Sequence, residues 1–107
     1  MAAMNLNYEQ FQNMMEEGKV VLVDFWAPWC SYCRRIGPAY EKVAGQYGQE
    51  LVVAKVNIDE ESQFAKREQI EVIPTLVLYR GGEALGSIVA PESKAMIDAF
   101  IQDTLGK

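Results

Sequence analysis

Two apolar, β-rich runs frame a helical stretch, and that succession restricts the fold more than any other feature of the chain. Lys19–Trp26 carries Val20, Val21, Leu22, Val23 and Phe25 in near-continuous order, the pattern of a buried central strand. Leu51–Ile58 is a second apolar strand. Between them a helix is expected from about Cys30 to Tyr47, with Pro28 marking the end of the first strand. Pro38 falls inside that helix and removes a backbone donor, so a kink is expected there. Strand, helix and strand in this order form a βαβ unit, whose two strands run parallel through a right-handed crossover.

The flanking segments complete an α/β reading. Tyr8, Phe11 and Met15 recur at helical spacing, with Met14 beside them. Asn7 can cap this helix, Gln10 sits where a capping-box partner belongs, and Gly18 stops it. Glu60–Glu68 is polar and reads as a short helix, and Leu76–Tyr79 as a strand. Gly81-Gly82 is a two-residue hairpin turn, because both positions can take positive φ, and Glu83–Val89 returns antiparallel. Pro91 and Ser93 open a last helix on which Met96, Ile97, Phe100, Ile101 and Leu105 form one apolar stripe. The expectation is a central mixed β-sheet flanked by helices on both faces, in a single domain over 1–107. The 107 residues leave no room for a second domain. A chain of this size buries roughly two-thirds of its unfolded surface, enough for a core without covalent staples.

Charge and histidine content remove several function classes. The formal net charge is −5, which disfavours nucleic acid and anionic membrane as partners. Basic residues adjoin only at Arg34-Arg35 and Lys66-Arg67. The absence of histidine excludes Ser–His–Asp and Cys–His catalysis and Cys/His zinc sites. Met1–Leu6 lacks the basic and apolar regions of a signal peptide. The longest apolar run, Val20–Ala27, is interrupted by Asp24 and is too short to span a bilayer. A cytoplasmic address is the default, and there a close cysteine pair is more often catalytic than structural.

That pair is Cys30-Ser31-Tyr32-Cys33, which follows one strand and opens a helix. A helix N-terminus presents unpaired N–H groups and a partial positive charge, so it favours thiolate over thiol. Two intervening residues put both sulfurs on one side of the first turn, within reach of a disulfide. Cys30, at the helix start, reads as the attacking thiolate, and Cys33, one turn inside, as the thiol that resolves a mixed disulfide. A purely structural disulfide, half of a metal site completed by a second chain, and two inert cysteines are the competing readings. Asp24 interrupts an apolar strand just ahead of the pair. It is either a proton acceptor for Cys33 or a strand-end carboxylate that reaches solvent or pairs with a lysine. Lys55, in the neighbouring strand, is a candidate for that lysine, and a solvated side chain is the plainer reading of it.

These residues resemble the thioredoxin family. Val23-Asp24-Phe25-Trp26-Ala27-Pro28-Trp29-Cys30 is similar to its active-site signature, Ile36-Gly37-Pro38 to its kinking proline, Val53–Asp59 to its third strand and lysine, and Ile73-Pro74-Thr75 to its cis-proline loop. The Gly81-Gly82 hairpin and final helix follow in order, so the resemblance covers essentially the whole chain. It implies the thioredoxin fold and a protein-disulfide reductase with Cys30 as nucleophile and Cys33 as resolving thiol. It further implies that Asp24, with Lys55 nearby, manages their protons. Trp29, Ile73, a cis Pro74 and Ala90 would line the substrate groove, and Trp26 and Pro38 would be structural. No bound cofactor is implied. The redox-active Cys30–Cys33 disulfide would be recharged by a flavin-containing thioredoxin reductase and would serve substrates such as peroxiredoxins, methionine sulfoxide reductases or ribonucleotide reductase, with the chain acting as a monomer.

Two departures stand out. The family usually has Gly-Pro between its cysteines, whereas this chain has Ser31-Tyr32, similar to some dithiol glutaredoxins. Tyr32 keeps a backbone N–H that proline lacks, and an extra donor near a Cys30 thiolate favours the reduced form. Ala90, followed by Pro91, stands where the family usually has glycine, and Val72 is bulkier than the small residue often found there. The alternatives to the reductase are a glutathione-linked, glutaredoxin-like oxidoreductase, a dimer holding a metal or iron–sulfur cluster, and a docking module that works without its thiols.

Overall fold

The computed structural model describes residues 2–48 and 50–106. Five strands form one sheet in the order β1-β3-β2-β4-β5. The strands are β1 Met4–Asn5, β2 Val20–Trp26, β3 Val52–Asn57, β4 Thr75–Arg80 and β5 Glu83–Val89. The helices are α1 Tyr8–Glu16, α2 Ser31–Tyr47, α3 Ser62–Arg67 and α4 Lys94–Leu105. β2 is central, parallel to β3 on one side and antiparallel to β4 on the other.

The period-two alternation of β2 sorts the two cores. Val21, Val23 and Phe25 point to the face covered by α1 and α3, where Phe11 and Phe64 are buried with them. Phe64 is the hub of that face: its ring lies 4.8 Å from Phe11, 5.1 Å from Tyr8 and 5.3 Å from Phe25. Fully burying such a side chain is worth ~1.5–3 kcal/mol. Leu22 points to the opposite face and packs with Leu76, Leu78, Ile36, Tyr40, Ile97 and Ile101, beneath α2 and α4. Asp24 shares this second parity, so the strand aims its one carboxylate at α2.

Local signals set the element ends. Asn7 and Gln10 form a reciprocal capping box on α1, and Ser93 caps α4 through Met96 N–H. Gly81 and Gly82 turn the β4–β5 hairpin at φ +56° and +93°. One element was not anticipated and one expectation changes. Met4–Asn5, given no element by the sequence, is an edge strand parallel to β3. Met96 is 40% exposed, so the buried stripe of α4 rests on Ile97 and Ile101.

Candidate functional site

The register gathers one end of the sheet. Trp26, the last residue of β2, pairs with Asn57, the last of β3. Thr75, the first of β4, pairs with Phe25 and with Val89, the last of β5. Residues 27–33, 58–59, 73–74 and 90–91 therefore all leave the sheet at the same end. Two hydrogen bonds tie these segments: Ala90 N–H donates to the Pro74 carbonyl at 2.8 Å, and the Tyr32 hydroxyl donates to the Pro91 carbonyl at 3.1 Å. The Ile73–Pro74 peptide bond is cis, and Ala90 sits at φ +46°.

Cys30 is the N-cap of α2, and its Sγ accepts the Cys33 backbone N–H at 3.2 Å. The two cysteines are disulfide-bonded with Cα atoms 5.3 Å apart. Cys30 is half-buried and Cys33 is buried at 4% exposure, so Cys30 is the more accessible residue of the pair. Trp29 beside it is 65% exposed, and its indole N–H is shared between Asp59 Oδ2 at 3.0 Å and Oδ1 at 3.2 Å. Val72 and Val89 are more than half exposed and directly precede the Ile73-Pro74 and Ala90-Pro91 segments. Three exposed apolar side chains, Trp29, Val72 and Val89, thus lie in or next to the segments that leave this end of the sheet.

Behind Cys33 lies a cleft of about 240 Å³ lined by Asp24, Trp26, Cys33, Arg34, Gly37, Tyr40, Glu41 and Lys55. Asp24 is 4% exposed, and its Oδ1 has no hydrogen-bond partner. Burial raises its pKa from 3.8 to about 7, against a lowering pull from Lys55 and with a further push from Glu41. Lys55 lies next to Asp24 in the β2–β3 register, but its ammonium pairs with Glu41 at 3.7 Å and sits 5.2 Å over the Trp26 ring. The Tyr40 hydroxyl reaches the Ala54 carbonyl at 2.6 Å and the Leu22 carbonyl at 3.2 Å. Burial, then the Asp24 charge, drives the Tyr40 pKa well up, so it stays a neutral donor.

Cys30, Cys33, Trp29, Ile73, Pro74 and Ala90 thus lie at the sheet end, and Asp24, Trp26 and Lys55 in the cleft behind Cys33. Pro38 is inside α2 on its exposed side. The sequence reading passed over Asp59, Tyr40 and Glu41. A signal for the last two existed: Cys33, Gly37, Tyr40 and Glu41 are spaced to share one face of α2. Among the described residues no group of three or more His, Cys, Asp or Glu side chains is placed to hold a metal ion.

A disulfide capping the helix that follows a central strand, beside a cis-proline loop, defines a dithiol–disulfide redox protein. The thioredoxin family profile matches residues 2–103, and the chain belongs to that family. It is 36% identical over 104 residues to the thioredoxin of Alicyclobacillus acidocaldarius, covering 97% of this chain and 99% of that one. It is 35% identical over 95 residues to the bifunctional thioredoxin reductase/thioredoxin of Mycobacterium leprae, covering 89% of this chain and 21% of that protein. The crystal structure of Malassezia sympodialis thioredoxin superposes with a TM-score of 0.86 at 33% identity, covering 97% of this chain and 94% of that one. The α/β thioredoxin fold and the class, a thiol–disulfide oxidoreductase with protein-disulfide reductase activity, follow from these relations and from the cysteine pair. No helix among the described residues is long and apolar enough to cross a membrane.

Proposed function

We propose that the chain, as one unit over residues 1–107, reduces protein disulfides through a Cys30–Cys33 cycle. The exposure difference between the two cysteines carries this reading. Cys30 thiolate, stabilised by the α2 N-terminus, attacks a substrate disulfide and expels one substrate sulfur as thiolate, which is then protonated. Cys33 then attacks Cys30 Sγ in the mixed disulfide, the second substrate thiol leaves, and the protein disulfide closes. Two electrons pass from the dithiol to the substrate. Asp24 takes the Cys33 proton as that thiol becomes a nucleophile. Its pKa of about 7 suits a group that must both accept and return a proton near neutral pH. Lys55 lies beside it as a movable positive charge.

The exposed apolar side chains Trp29, Val72 and Val89, with Ile73, Pro74 and Ala90 at the same end of the sheet, support an extended, uncharged substrate segment, with Ile73 offering backbone hydrogen bonds. Recharging falls to a flavin-containing thioredoxin reductase, a pairing supported by the Mycobacterium leprae relative whose name joins the two activities in one chain. Peroxiredoxins, methionine sulfoxide reductases and ribonucleotide reductase are substrates of the expected class, met in the cytoplasm by a monomer. The Ser31-Tyr32 dipeptide is the observation favouring a glutathione-linked alternative.

The test is trapping. With a disulfide-bonded protein as substrate, Cys33→Ser accumulates a covalent mixed disulfide at Cys30, and Cys30→Ser abolishes reduction. If Cys30→Ser traps the substrate instead, the roles are reversed. If glutathione disulfide is reduced much faster than any protein disulfide, the glutathione-linked reading replaces this one.

A further inference from the structure

The cleft behind Cys33 contains a charged side chain that the cycle above does not use. Glu41 is anchored at both carboxylate oxygens: Oε1 accepts the Ala3 backbone N–H at 2.7 Å, and Oε2 pairs with Lys55 Nζ at 3.7 Å. Ala3 is buried just ahead of β1, so the edge strand holds this carboxylate in place. Asp24, next to Lys55 in the register, has no ion pair among the described residues, and one of its oxygens is unpartnered. Lys55 is thus turned toward Glu41.

Of the titratable and charged groups that line the cleft with Asp24, β3 supplies Lys55 and α2 supplies Cys33, Arg34, Tyr40 and Glu41; Leu76, opposite Asp24 in β4, is apolar. Arg34 donates to the Pro28 carbonyl at 2.6 Å. Tyr40 donates to backbone carbonyls. Lys55 is therefore the cation available to neutralise Asp24, and Glu41 is its competitor for that cation.

We propose that Glu41 is a positioning residue for the proton step at Cys33: it draws the Lys55 ammonium aside and so keeps Asp24 able to take up a proton near neutral pH. The Glu41–Lys55 pair is partly exposed, with 39% and 30% of the side chains accessible, so its direct contribution to stability is small. Its consequence is where the lysine charge rests. Without Glu41 the ammonium can swing to Asp24 and favour its ionised form, which holds a proton less well. The inference rests on Asp24 being the acceptor for Cys33.

Glu41→Gln is the informative variant, since the amide oxygen can still accept from Ala3 and only the charge is lost. The titration midpoint of the Asp24 carboxyl, followed by carbon NMR of the reduced protein, is expected to fall by on the order of one pH unit. In a Lys55→Gln background the same substitution should move it much less. The pH profile of mixed-disulfide resolution should shift with the midpoint. An unchanged Asp24 midpoint in Glu41→Gln overturns the proposal, as does an equal shift with and without Lys55. Asp24→Asn separates the two layers: if resolution keeps its pH profile in that variant, Asp24 is not the acceptor, while the Asp24 midpoint in the Glu41→Gln protein still decides the role of Glu41.

Discussion

Asp24→Asn should make the protein more stable in neutral and alkaline solution, and by an amount that depends on pH in a defined way. The wild-type carboxyl titrates at about 7 when folded and at 3.8 when unfolded. Below the unfolded value both states are protonated and the burial costs no charge. Between the two values the folded protein retains a proton that the unfolded chain has released, so stability falls as pH rises. Above about 7 both are ionised and the penalty is constant. The interval spans roughly three tenfold steps at 1.36 kcal/mol each, or about 4 kcal/mol. Urea unfolding of wild type and variant from pH 4 to pH 9 measures this directly. The other titrating groups are common to both chains, so the difference between the two stability curves isolates Asp24. That difference should widen by about 4 kcal/mol between the acid and alkaline ends and level off near pH 8. Parallel curves would refute the claim that burial holds this carboxyl protonated, and with it the basis for treating Asp24 as a proton acceptor near neutrality.

Other consequences can be checked more simply. Ala90→Gly should stabilise the fold by about 1 kcal/mol, because Ala90 occupies a left-handed backbone conformation at φ +46° that glycine adopts without strain; thermal unfolding reads this. Tyr32→Phe removes the hydrogen bond to Pro91 and should cost roughly 0.5–1.5 kcal/mol of stability while leaving the reduction potential near wild type, since the backbone N–H remains. Ser31→Gly/Tyr32→Pro removes that N–H and should make the couple more reducing, measured by equilibration against defined thiol buffers; an unchanged potential would show that the extra donor does not tune the site.

Much of the architecture could be read from the chain because its local and global signals agree. The near-continuous apolar run at Val20–Phe25 required a central strand, and β2 is indeed flanked on both sides. The Asn7/Gln10 pair and Gly81-Gly82 fixed element ends through their own backbone chemistry. β1 escaped because two exposed residues, Met4 and Asn5, carry no periodicity, and only their pairing with Ala54 and Lys55 defines the strand. The stripe is drawn too wide in taking both Met96 and its neighbour Ile97: Ile97 packs with Leu22 and Leu76, and Met96 is left 40% exposed at the stripe's edge. At the site, the cysteine pair announced itself, while Glu41 did not. A glutamate on a helix reads as solvated until the Ala3 and Lys55 contacts are seen.

The Tyr32–Pro91 hydrogen bond bears on how such a site can change over time. It joins two of the segments at which the resemblance above marks a departure, the dipeptide between the cysteines and the Ala90-Pro91 corner. The acceptor is a main-chain carbonyl, so its position is set by the backbone turn at Ala90 and not by a side chain. A replacement at 90–91 that swings this carbonyl leaves the Tyr32 hydroxyl without its partner, and a replacement at Tyr32 leaves the corner without its tie. The order in which such substitutions accumulate is therefore constrained. Ser31-Tyr32 grafted alone into a relative would bring the side chain without the corner that anchors it, so the two segments are best exchanged together.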